Sequence, residues 1–434
     1  MSHYKPYPAY KDSGVEWLGR VPEHWEVTRI SNHYRLRNGF PFDSSGFSPD
    51  GEGEDRLIRI RDLSPSENWI YTSEPCPDSA RVNDGDVLVG MDGDFNAVLW
   101  LAGPAKLNQR VCALRGENES LTELLLYSLP FPLKIINDTA YSTTVKHLSS
   151  GEVLGTRIAL PPSVELRSIV SHLNSETARI DALIEKKTRF IELLREKRQA
   201  LITHAVTKGL DPSVKMKDSG VEWLGEVPEH WCVKQLKHVV DQNSSITYGI
   251  VQAGPEFEGG VPYIRTSDMS GDELPVSGYP LTSPEIDASY ARSRVRPGDI
   301  VMSIRASVGK CLPVPNELNL ANLTQGTAKV SPGQKVTRDF LLAFLNSGAA
   351  QVYFDLMAKG ATFKEITLDA LRRTPVLLPP RDEQVVIDRF IAVHVGRLDR
   401  LVRASECSVI MLKERRSALI IAAVTGQIDL REAV

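Results

Sequence analysis

The sequence predicts an α+β protein with two mixed α/β domains separated by two long antiparallel coiled-coil helices, in a pseudo-twofold cyclic arrangement. Three observations predict this fold class. A 15-residue motif occurs twice almost unchanged, each copy is followed further on by a segment with heptad spacing, and the chain finishes soon after the second such segment. Each half of the chain is therefore expected to fold as one unit of a duplicated structure.

The composition is that of an ordinary globular protein with more than one core. The 434 residues are 42% hydrophobic and 24% charged, which allows about two to four domains. No run of about 18 apolar residues occurs and the amino terminus lacks a secretory signal, so we expect a cytoplasmic protein without membrane contact. The five cysteines are scattered singly, which disfavours disulfides and metal knuckles.

The motif that we call the entry motif is the strongest repeat. It reads KDSGVEWLGRVPEHW from Lys11 to Trp25 and KDSGVEWLGEVPEHW from Lys217 to Trp231, an offset of 206 residues. Further on the offset is 218, as in Leu160-Pro161-Pro162 against Leu378-Pro379-Pro380. Each half thus has a constant entry, a divergent middle, which we call the body, and a constant helical exit. This layout is typical of a protein that reads two targets, whereas a duplication without functional meaning predicts even divergence.

A long amphipathic helix is expected after each proline pair. In the first copy one heptad seam starts at Leu166 and the other at Val170, and adding 218 gives the seams of the second copy. Each helix is expected to have about 40 residues and a length of roughly 60 Å, the first one ending before Gly209. An apolar stripe of this length requires a partner, and the simplest partner of each helix is the other, as a coiled coil.

The ends of the two helices indicate a closed arrangement. Val206-Thr207 leads into the second entry motif, whereas Val424-Thr425 is the same exit close to the end of the chain. Two units joined head to tail close into a cyclic, pseudo-twofold object when their helices pair antiparallel. Arg198 and Arg416 occupy matching seam positions, where they either fix the register of the helices or extend to the rim of the seam.

Each body contains short β-like runs broken by turn residues, in the same order in both copies. Leu57–Asp62 precedes a Gly85-Asp86 turn in the first body, and Tyr263–Asp268 precedes a Gly298-Asp299 turn in the second. Each turn is expected to lead into a buried strand followed by a polar loop. If the protein binds DNA, contacts with the DNA bases are expected in these loops. Arg can donate two parallel hydrogen bonds to guanine, and Asn or Gln can pair bidentately with adenine.

The candidate DNA-binding residues are polar side chains on those runs and loops. In the first body they are Arg59, Arg61, Asn96, Gln109 and Arg110, and in the second they are Arg265, Ser267, Arg305, Lys310 and Gln325. For each one the alternative is a solvated side chain or a local salt bridge. Lys146 and Lys364 stand at matching places and are candidate phosphate anchors, since positioning contacts need no sequence code. The repeated tryptophans are expected to pack in the core: Trp17, Trp25, Trp223 and Trp231.

The sequence contains no motif for catalysis or for binding a cofactor or metal. A GxxxxGK[ST] phosphate loop, a strand-anchored GxGxxG and an HExxH spacing are all missing. Asp181, Glu185 and Lys187 resemble a nuclease set, but they lie on a helix, and the second copy has Asp399, Arg403 and Ser405 instead. The net charge of −4 argues mildly against DNA binding, so that function requires local basic patches.

Four elements, in their order along the chain, resemble the specificity subunits of Type I restriction-modification systems. They are the entry motif, the run Ile-Arg-Thr-Ser-Asp-Met, the turn Pro-Gly-Asp-Ile, and Leu-Pro-Pro before a long helix. The resemblance spans nearly the whole chain. It implies a non-catalytic, sequence-specific DNA-binding subunit without a cofactor of its own, which reads a bipartite site with two target recognition domains. The first body departs from the usual pattern at Met91–Phe95, where a basic or serine-rich loop is common.

The resemblance also implies double-stranded DNA and protein partners. Two methyltransferase subunits, which bind S-adenosylmethionine and methylate adenine N6, would dock on the long helices. Motor-nuclease subunits, with ATP and Mg, would add translocation and cleavage. The implied domains are a first target recognition domain at 1–160, a first conserved helix at 161–208, a second target recognition domain at 209–378, a second conserved helix at 379–425, and a tail at 426–434.

Two other functions stay open at this point. A stand-alone restriction enzyme would need a nuclease site, and the absence of a carboxylate cluster in either body disfavours it. A coiled-coil scaffold would bind only proteins, and it would be indifferent to DNA sequence even when its methyltransferase partner is present.

Overall fold

The computed structural model describes residues 4–51, 54–64, 68–139, 146–360 and 364–431. The chain divides into two compact units, Met1–Lys187 with Cys407–Val434, and Thr188–Glu406. Each unit contains one entry motif, one body, and a segment of each long helix. The first unit therefore includes both the beginning and the end of the chain.

Each long helix begins directly after its proline pair. The first spans Ser163–Lys208 and the second Arg381–Val424, with 46 and 44 residues, somewhat longer than expected. Proline lacks the backbone N–H that the interior of a helix requires, so each pair marks a helix start. The first helix ends before Gly209, as predicted from the sequence.

Within the second unit the two long helices pair antiparallel. Arg195 Nη2 lies 2.8 Å from Glu406 Oε1, and Arg198 Nε lies 2.9 Å from Asp399 Oδ1. Residue numbers rise along one helix as they fall along the other, so the predicted antiparallel pairing is confirmed. Arg198, at the seam position, is partly exposed and forms an ion pair with Asp399 of the facing helix. It therefore extends to the rim of the seam, as one expectation had it, and also contacts the other helix, as the register-fixing alternative had it.

The first unit contains the equivalent helix pair. Arg416 Nε lies 2.8 Å from Asp181 Oδ1. Both residues are offset by 218 from the pair Arg198 and Asp399, so the two ion pairs are copies of one contact. The apolar seam positions of this unit are buried, as in Leu166, Val170, Leu173, Ile180 and Leu419.

Each entry motif forms a two-stranded antiparallel hairpin that holds a buried tryptophan. The strands are Tyr10–Asp12 with Arg20–Pro22 in the first unit, and Met216–Asp218 with Glu226–Pro228 in the second. Trp25 and Trp231, which end the motifs, are 1% and 0% exposed, so the predicted core position is confirmed. The other two repeated tryptophans are partly buried and pack beside aromatic rings of their bodies: Trp17 beside Phe131, and Trp223 beside Tyr353.

The tryptophan of each entry motif is tied to a long helix by a hydrogen bond. Trp25 Nε1 donates to Glu165 Oε2 at 3.0 Å, and Trp231 Nε1 donates to Glu383 Oε1 at 3.1 Å. Both glutamates lie in the first turn of a long helix. Each entry motif is thereby fixed to the helix that follows its own body.

Each entry hairpin also contacts the end of a long helix. In the first unit Gln427 Nε2 donates to the Arg20 carbonyl at 2.6 Å, and the Tyr10 hydroxyl donates to the Gly426 carbonyl at 3.1 Å. In the second unit Lys208 Nζ donates to the Glu226 carbonyl. The end of the second helix thus packs on the first hairpin as the end of the first helix packs on the second, which confirms the predicted cyclic connectivity.

The first body contains two four-stranded sheets. The antiparallel sheet has the strand order Tyr34–Asn38, Val111–Gly116, Val87–Gly90 and Ala97–Leu99. The mixed sheet has the order Ile70–Thr72, Asp55–Ile58, Ala105–Leu107 and Arg81–Val82. Ile58 of the mixed sheet and Leu88 of the antiparallel sheet are buried in one core between them. Glu26–Arg29 pairs separately with Arg157–Leu160.

The second body repeats this topology. Its antiparallel sheet has the order Thr247–Tyr248, Thr327–Val330, Ile300–Ser303 and Cys311–Pro313. Its mixed sheet has the order Leu281–Thr282, Val261–Ile264 and Asn322–Leu323. A single bridge from Val295 to Ala321 stands where the first body has a fourth strand. Cys232–Gln235 pairs separately with Pro375–Leu378.

Short helices cover the sheets. The α-helices of the first body are Glu119–Ser128, Pro130–Thr139 and Ser150–Gly155, and those of the second are Pro284–Ser289, Arg338–Leu345, Gly348–Met357 and Leu368–Arg372. The 3₁₀ turns are Ile30–Asn32, Ser44–Gly46, Ile60–Leu63, Asp78–Ala80, Leu236–His238, Thr266–Met269 and Ala291–Ser293. Among the described residues no single helix is long and apolar enough to span a membrane, and one bent pair, Arg338–Leu345 with Gly348–Met357, meets that criterion by length and composition only.

The predicted Gly-Asp turns lead into buried strands. Gly85 has φ +85° and Gly298 has φ +101°, a conformation that favours glycine, and all four residues of each following strand are buried. The β-like run before each turn is shorter than expected. The strand ends at Ile58 or Ile264, because the next residue, Arg59 or Arg265, is the N-cap of a 3₁₀ turn.

Candidate nucleic-acid interface

In each body an arginine at the end of a mixed-sheet strand is held by the aspartate three residues later. Arg59 Nε and Nη2 donate to the Asp62 carboxylate at 2.8 and 3.0 Å. Arg265 Nε and Nη2 donate to Asp268 at 3.2 and 2.9 Å. Hydrogen bonding to Asp268 raises the pKa of Arg265. This Arg–Asp clip occupies one two-donor edge of the guanidinium, and it is the same in both bodies.

Four of the five residues predicted for the second body line one cleft. They are Arg265, Ser267, Arg305 and Gln325. The cleft has a volume of about 350 Å³ and is also lined by Ile250, Thr266 and Gly326. The structure therefore brings together residues that are up to 60 positions apart in the sequence.

Backbone contacts between neighbouring segments place Gln325 at this cleft. The Ile250 N–H donates to the Leu323 carbonyl at 2.7 Å, and the Gln325 N–H donates back to the Ile250 carbonyl at 3.0 Å. Gly249 allows this approach, since a Cβ there would lie 1.9 Å from the Leu323 oxygen. The first body has the same close approach between Gly39 and the Asn108 oxygen.

Arg305 extends from the end of a buried strand and is paired across a single β-bridge. Its Nε lies 3.0 Å from Glu365 Oε1, and both side chains are partly exposed. Lys310, the fifth predicted residue, is not among the cleft-lining residues, and its Nζ donates to the Ser270 carbonyl at 3.0 Å. The cleft thus presents one arginine held by a clip and one held by a single ion pair.

The first body has a different charge arrangement at the position of Arg305. The bridge between Arg305 and Glu365 corresponds to a bridge between Asp92 and His147. Asp92 Oδ1 lies 2.5 Å from His147 Nδ1, and Asp92 Oδ2 lies 3.4 Å from Arg110 Nε. An acidic residue in one body therefore stands where the other body has a basic one.

The other residues predicted for the first body lie on its surface. Their side chains are exposed: Arg61, Asn96 and Gln109. Asn96 corresponds to Lys310, because the Asn96 carbonyl accepts from the Gly90 N–H as the Lys310 carbonyl accepts from Ser303. The structure brings Arg110 next to Asp92, and it places Arg59 in the clip described above.

The two predicted phosphate anchors occupy equivalent places and contact equivalent neighbours. Lys146 Nζ donates to the backbone and side-chain oxygens of Asn137, at 2.5 and 3.1 Å. Lys364 Nζ lies 3.0 Å from Asp355 Oδ1. Asn137 and Asp355 are offset by 218 residues, as the two lysines are. Each lysine is thus positioned by the helix that precedes it in the chain.

Sequence reasoning missed the acidic partners of the predicted arginines. The partners are Asp62, Asp268, Asp92 and Glu365. The first two could have been found, because an aspartate follows the arginine by three residues in both copies and such a spacing favours a capped turn. Asp92 and Glu365 are distant in sequence from their arginines, and their contacts depend on strand pairing.

The helical carboxylates have a structural contact. Asp181, which resembles part of a nuclease set in sequence, forms the ion pair with Arg416. Across the portions of the chain that the structure describes, no group of three or more His, Cys, Asp or Glu residues is arranged to hold a metal ion.

Comparisons with known proteins give one family. The chain matches the family Type I restriction modification DNA specificity domain over residues 22–193 and 228–401. It is 30% identical over 423 residues to the Type I restriction enzyme EcoBI specificity subunit of Escherichia coli, covering 96% of this chain and 89% of that protein. It is 22% identical over 438 residues to the Type I restriction enzyme MjaVIII specificity subunit of Methanocaldococcus jannaschii, covering 95% of each.

A solved structure shares the fold. It was described under the heading of complex assembly and conformational transition of the type I R-M system, and it aligns with a TM-score of 0.68 and 19% identity over 93% of this chain and 98% of that chain. The two family matches each cover one body, the last residues of its entry motif and the first part of the long helix that follows. The chain belongs to the specificity subunits of Type I restriction-modification systems, the non-catalytic subunits that recognise DNA.

Proposed function

We propose that this chain reads a bipartite DNA site, one half-site with each body, and so directs adenine methylation and ATP-dependent restriction by partner subunits. The bodies would act as the target recognition domains within residues 1–160 and 209–378. The conserved helices at 161–208 and 379–425 would set the unspecified spacer between the half-sites, and residues 426–434 would form a tail.

One observation carries this proposal. The two bodies have the same strand order and the same Arg–Asp clip, yet the position of Arg305 in the second body has Asp92 in the first. A constant frame with opposite charges at one partly exposed position supports two different sequence preferences. Direct readout requires such differences, since each base pair presents its own donor and acceptor pattern in the major groove.

The proposed DNA contacts divide into base readout and phosphate positioning. Lys146 and Lys364 would contact phosphates, because an ammonium has three donors and its contact with Asn137 or Asp355 leaves donors available. Base contacts would come from exposed residues of the first body, Arg61, Asn96, Gln109 and Arg110, and from cleft-lining residues of the second, Ser267, Arg305 and Gln325, together with the half-buried Lys310. Double-stranded DNA is the proposed ligand.

The long helices would bind two methyltransferase subunits. Exposed apolar side chains occur at equivalent helix positions: Leu183 and Met411 in the first unit, and Leu401 and Leu193 in the second. Equivalent apolar patches, one in each unit, favour two copies of one partner. Motor-nuclease subunits would join this complex in the cytoplasm. S-adenosylmethionine, ATP and Mg would be bound by the partner subunits.

The test is methylation mapping with the chain assembled with its methyltransferase subunits. Genomic DNA is methylated by the complex and the modified adenines are located by sequencing. A single bipartite motif with a fixed spacer supports the proposal. Methylation without a sequence preference would instead favour a coiled-coil scaffold, and DNA cleavage by the purified chain with Mg alone would favour a stand-alone nuclease.

A further inference from the structure

The arginines near the cleft of the second body differ in how their donor atoms are used. Arg265 uses Nε and Nη2 on Asp268, and Arg59 of the first body makes the same clip with Asp62, so this contact does not distinguish the two bodies. Arg305 Nε is inaccessible to solvent and lies 3.0 Å from Glu365 Oε1 in an ion pair without hydrogen-bond geometry, while the Arg305 side chain is 43% exposed. Arg305 also lines the cleft, so its side chain is accessible to a ligand there.

The first body has an arginine with the same kind of tether. Arg110 Nε lies 3.4 Å from Asp92 Oδ2, and the Arg110 side chain is 54% exposed whereas Asp92 is 19% exposed. Arg59 of this body is instead held in the clip by Asp62 and is 15% exposed. Each body thus contains one clipped arginine and one arginine that is held at Nε and partly exposed.

The two tethered arginines enter from different but equivalent places in the fold. The Arg110 carbonyl accepts from the Met91 N–H as the Gly326 carbonyl accepts from the Ile304 N–H, so Arg110 corresponds to Gly326. Asp92 corresponds to Arg305 through the shared β-bridge. The tethered arginine of the first body therefore stands at the position of Gly326, and its acidic partner Asp92 stands at the position of Arg305.

Packing explains why the second body carries no side chain at position 326. A Cβ on Gly326 would lie 2.3 Å from Thr266 Oγ1 and 3.9 Å from the Cβ of Arg305. The loop next to Arg305 is also constrained, since Ala306 has φ +60° and its N–H donates to the Lys364 carbonyl at 3.1 Å. A non-glycine residue in this conformation is held at a cost, which is typical of functional loops.

We propose that Arg305 and Arg110 are the guanine-reading residues of the two half-sites, each oriented by a carboxylate on its Nε, and that Arg265 and Arg59 are positioning residues. This assignment depends on the DNA-reading function proposed above. The Nη1–Nη2 end matches the O6 and N7 acceptors of guanine in the major groove. Because the two arginines enter from different strands, the guanines are expected at different distances from the centre of the site.

The test measures binding of the full chain, assembled with its methyltransferase subunits, to DNA duplexes that carry every single-base change in the mapped motif. For Arg305→Ala, discrimination at one guanine of one half-site should fall by about 5- to 150-fold. The other half-site should keep its discrimination, which also shows that the variant is folded. Arg110→Ala should give the mirror result in the other half-site.

Two further variants separate base reading from other roles. Arg305→Lys keeps the positive charge but cannot form the two parallel hydrogen bonds of a guanidinium. Under the proposal its overall DNA affinity is higher than that of Arg305→Ala, but the guanine is still not discriminated from other bases. If Arg305→Ala weakens binding equally for every duplex and Arg305→Lys restores that affinity, Arg305 contacts a phosphate and the proposal is overturned. Arg338→Ala, which removes an exposed arginine paired with Asp339 in the same unit, controls for net charge and should change no base preference.

The outcomes distinguish failure of the proposed DNA-reading function from failure of the assignment of Arg305 and Arg110. If the wild-type complex shows no bipartite motif, the proposed function fails and the residue assignment fails with it. If the wild type shows the motif and Arg305→Ala leaves every position equally discriminated, only the residue assignment is overturned. A loss of discrimination over both half-sites would likewise contradict it, because the tethered arginines belong to separate bodies.

Discussion

Arg416 forms an ion pair with Asp181 across the two long helices, Nε to Oδ1 at 2.8 Å, and the repeat reproduces this contact as Arg198 with Asp399 at 2.9 Å. The pair in each unit joins the same two kinds of position, one on each helix. This ion pair is repeated by the sequence duplication, and each copy joins the two antiparallel helices.

A double-mutant cycle on Arg416 and Asp181 should show favourable coupling. Both side chains are partly exposed, so we expect about 0.5–1 kcal/mol in the free energy of unfolding rather than the larger value of a buried pair. Denaturant unfolding of the single and double alanine variants measures it. The i,i+3 pair Arg189–Glu192, which lies on one helix only, is the control and should couple by less. Coupling near zero for Arg416 and Asp181 would contradict the assigned role.

Replacing Glu165 should loosen the first entry motif. Glu165→Ala leaves the buried Trp25 N–H without its acceptor, a loss of about 1–3 kcal/mol in unfolding free energy. Glu165→Gln keeps an acceptor oxygen and should lose less. Glu185→Ala, on the exposed surface of the same helix, is the control and should change little. Equal losses for the alanine and glutamine variants would show that the hydrogen bond to Trp25 is unimportant.

Gly249→Ala should disturb the cleft of the second body. Its Cβ would meet the Leu323 oxygen at 1.9 Å, and the backbone cannot move without displacing the segment that holds Gln325. We expect a destabilisation of about 1–3 kcal/mol and weaker discrimination in one half-site only. The matched control is Gly271→Ala, where the nearest heavy atom is 3.6 Å away. A fully stable, fully selective Gly249→Ala chain would show that this close approach is not required.

Asp388 should make the second unit less stable as the pH rises. Burial raises the pKa of Asp388 to about 6 from 3.8, and its Oδ2 accepts from Thr337 Oγ1 at 2.6 Å. The favourable contribution of the protonated form is fully present below pH 3.8 and is lost as the pH rises through 6. Asp388→Asn removes this loss, so its unfolding free energy should exceed that of the wild type above pH 6 and approach it towards pH 4.

Thermal unfolding between pH 4 and 8 measures the effect of Asp388→Asn. For a unit of this size each kcal/mol corresponds to roughly 2–4 °C in Tm. The expected difference in Tm between variant and wild type grows with pH up to about 6 and is constant above it. A difference that does not change with pH would mean that Asp388 does not titrate in this range.

The helices and their connectivity could be predicted from the sequence more fully than the contacts of the candidate site. Heptad spacing and proline pairs were enough to predict two long helices, because periodicity acts over many residues, and the antiparallel pairing was predicted from the ends of those helices. The repeat of Val206-Thr207 as Val424-Thr425 was enough to predict the cyclic connectivity. Strand bounds were predicted less well, since the 3₁₀ turn after Ile58 depends on a local carboxylate cap at Arg59.

The candidate site was predicted by residue type and not by contact. The sequence singled out Arg305, Arg265 and Gln325, and the structure brings them to one cleft. It could not distinguish the clipped arginine from the tethered one, because the Arg305–Glu365 contact spans 60 residues and requires strand register. Register depends on packing of the whole body, and no local pattern encodes it.

Exchange of one body shows whether each body reads its own half-site. Residues 26–142 are replaced by the corresponding segment of another specificity subunit, the chimaera is assembled with its methyltransferase subunits, and its methylation motif is mapped. One half-site should change, while the other half-site and the spacer should stay the same. A change in both half-sites would contradict the claim that each body reads its own half of the site.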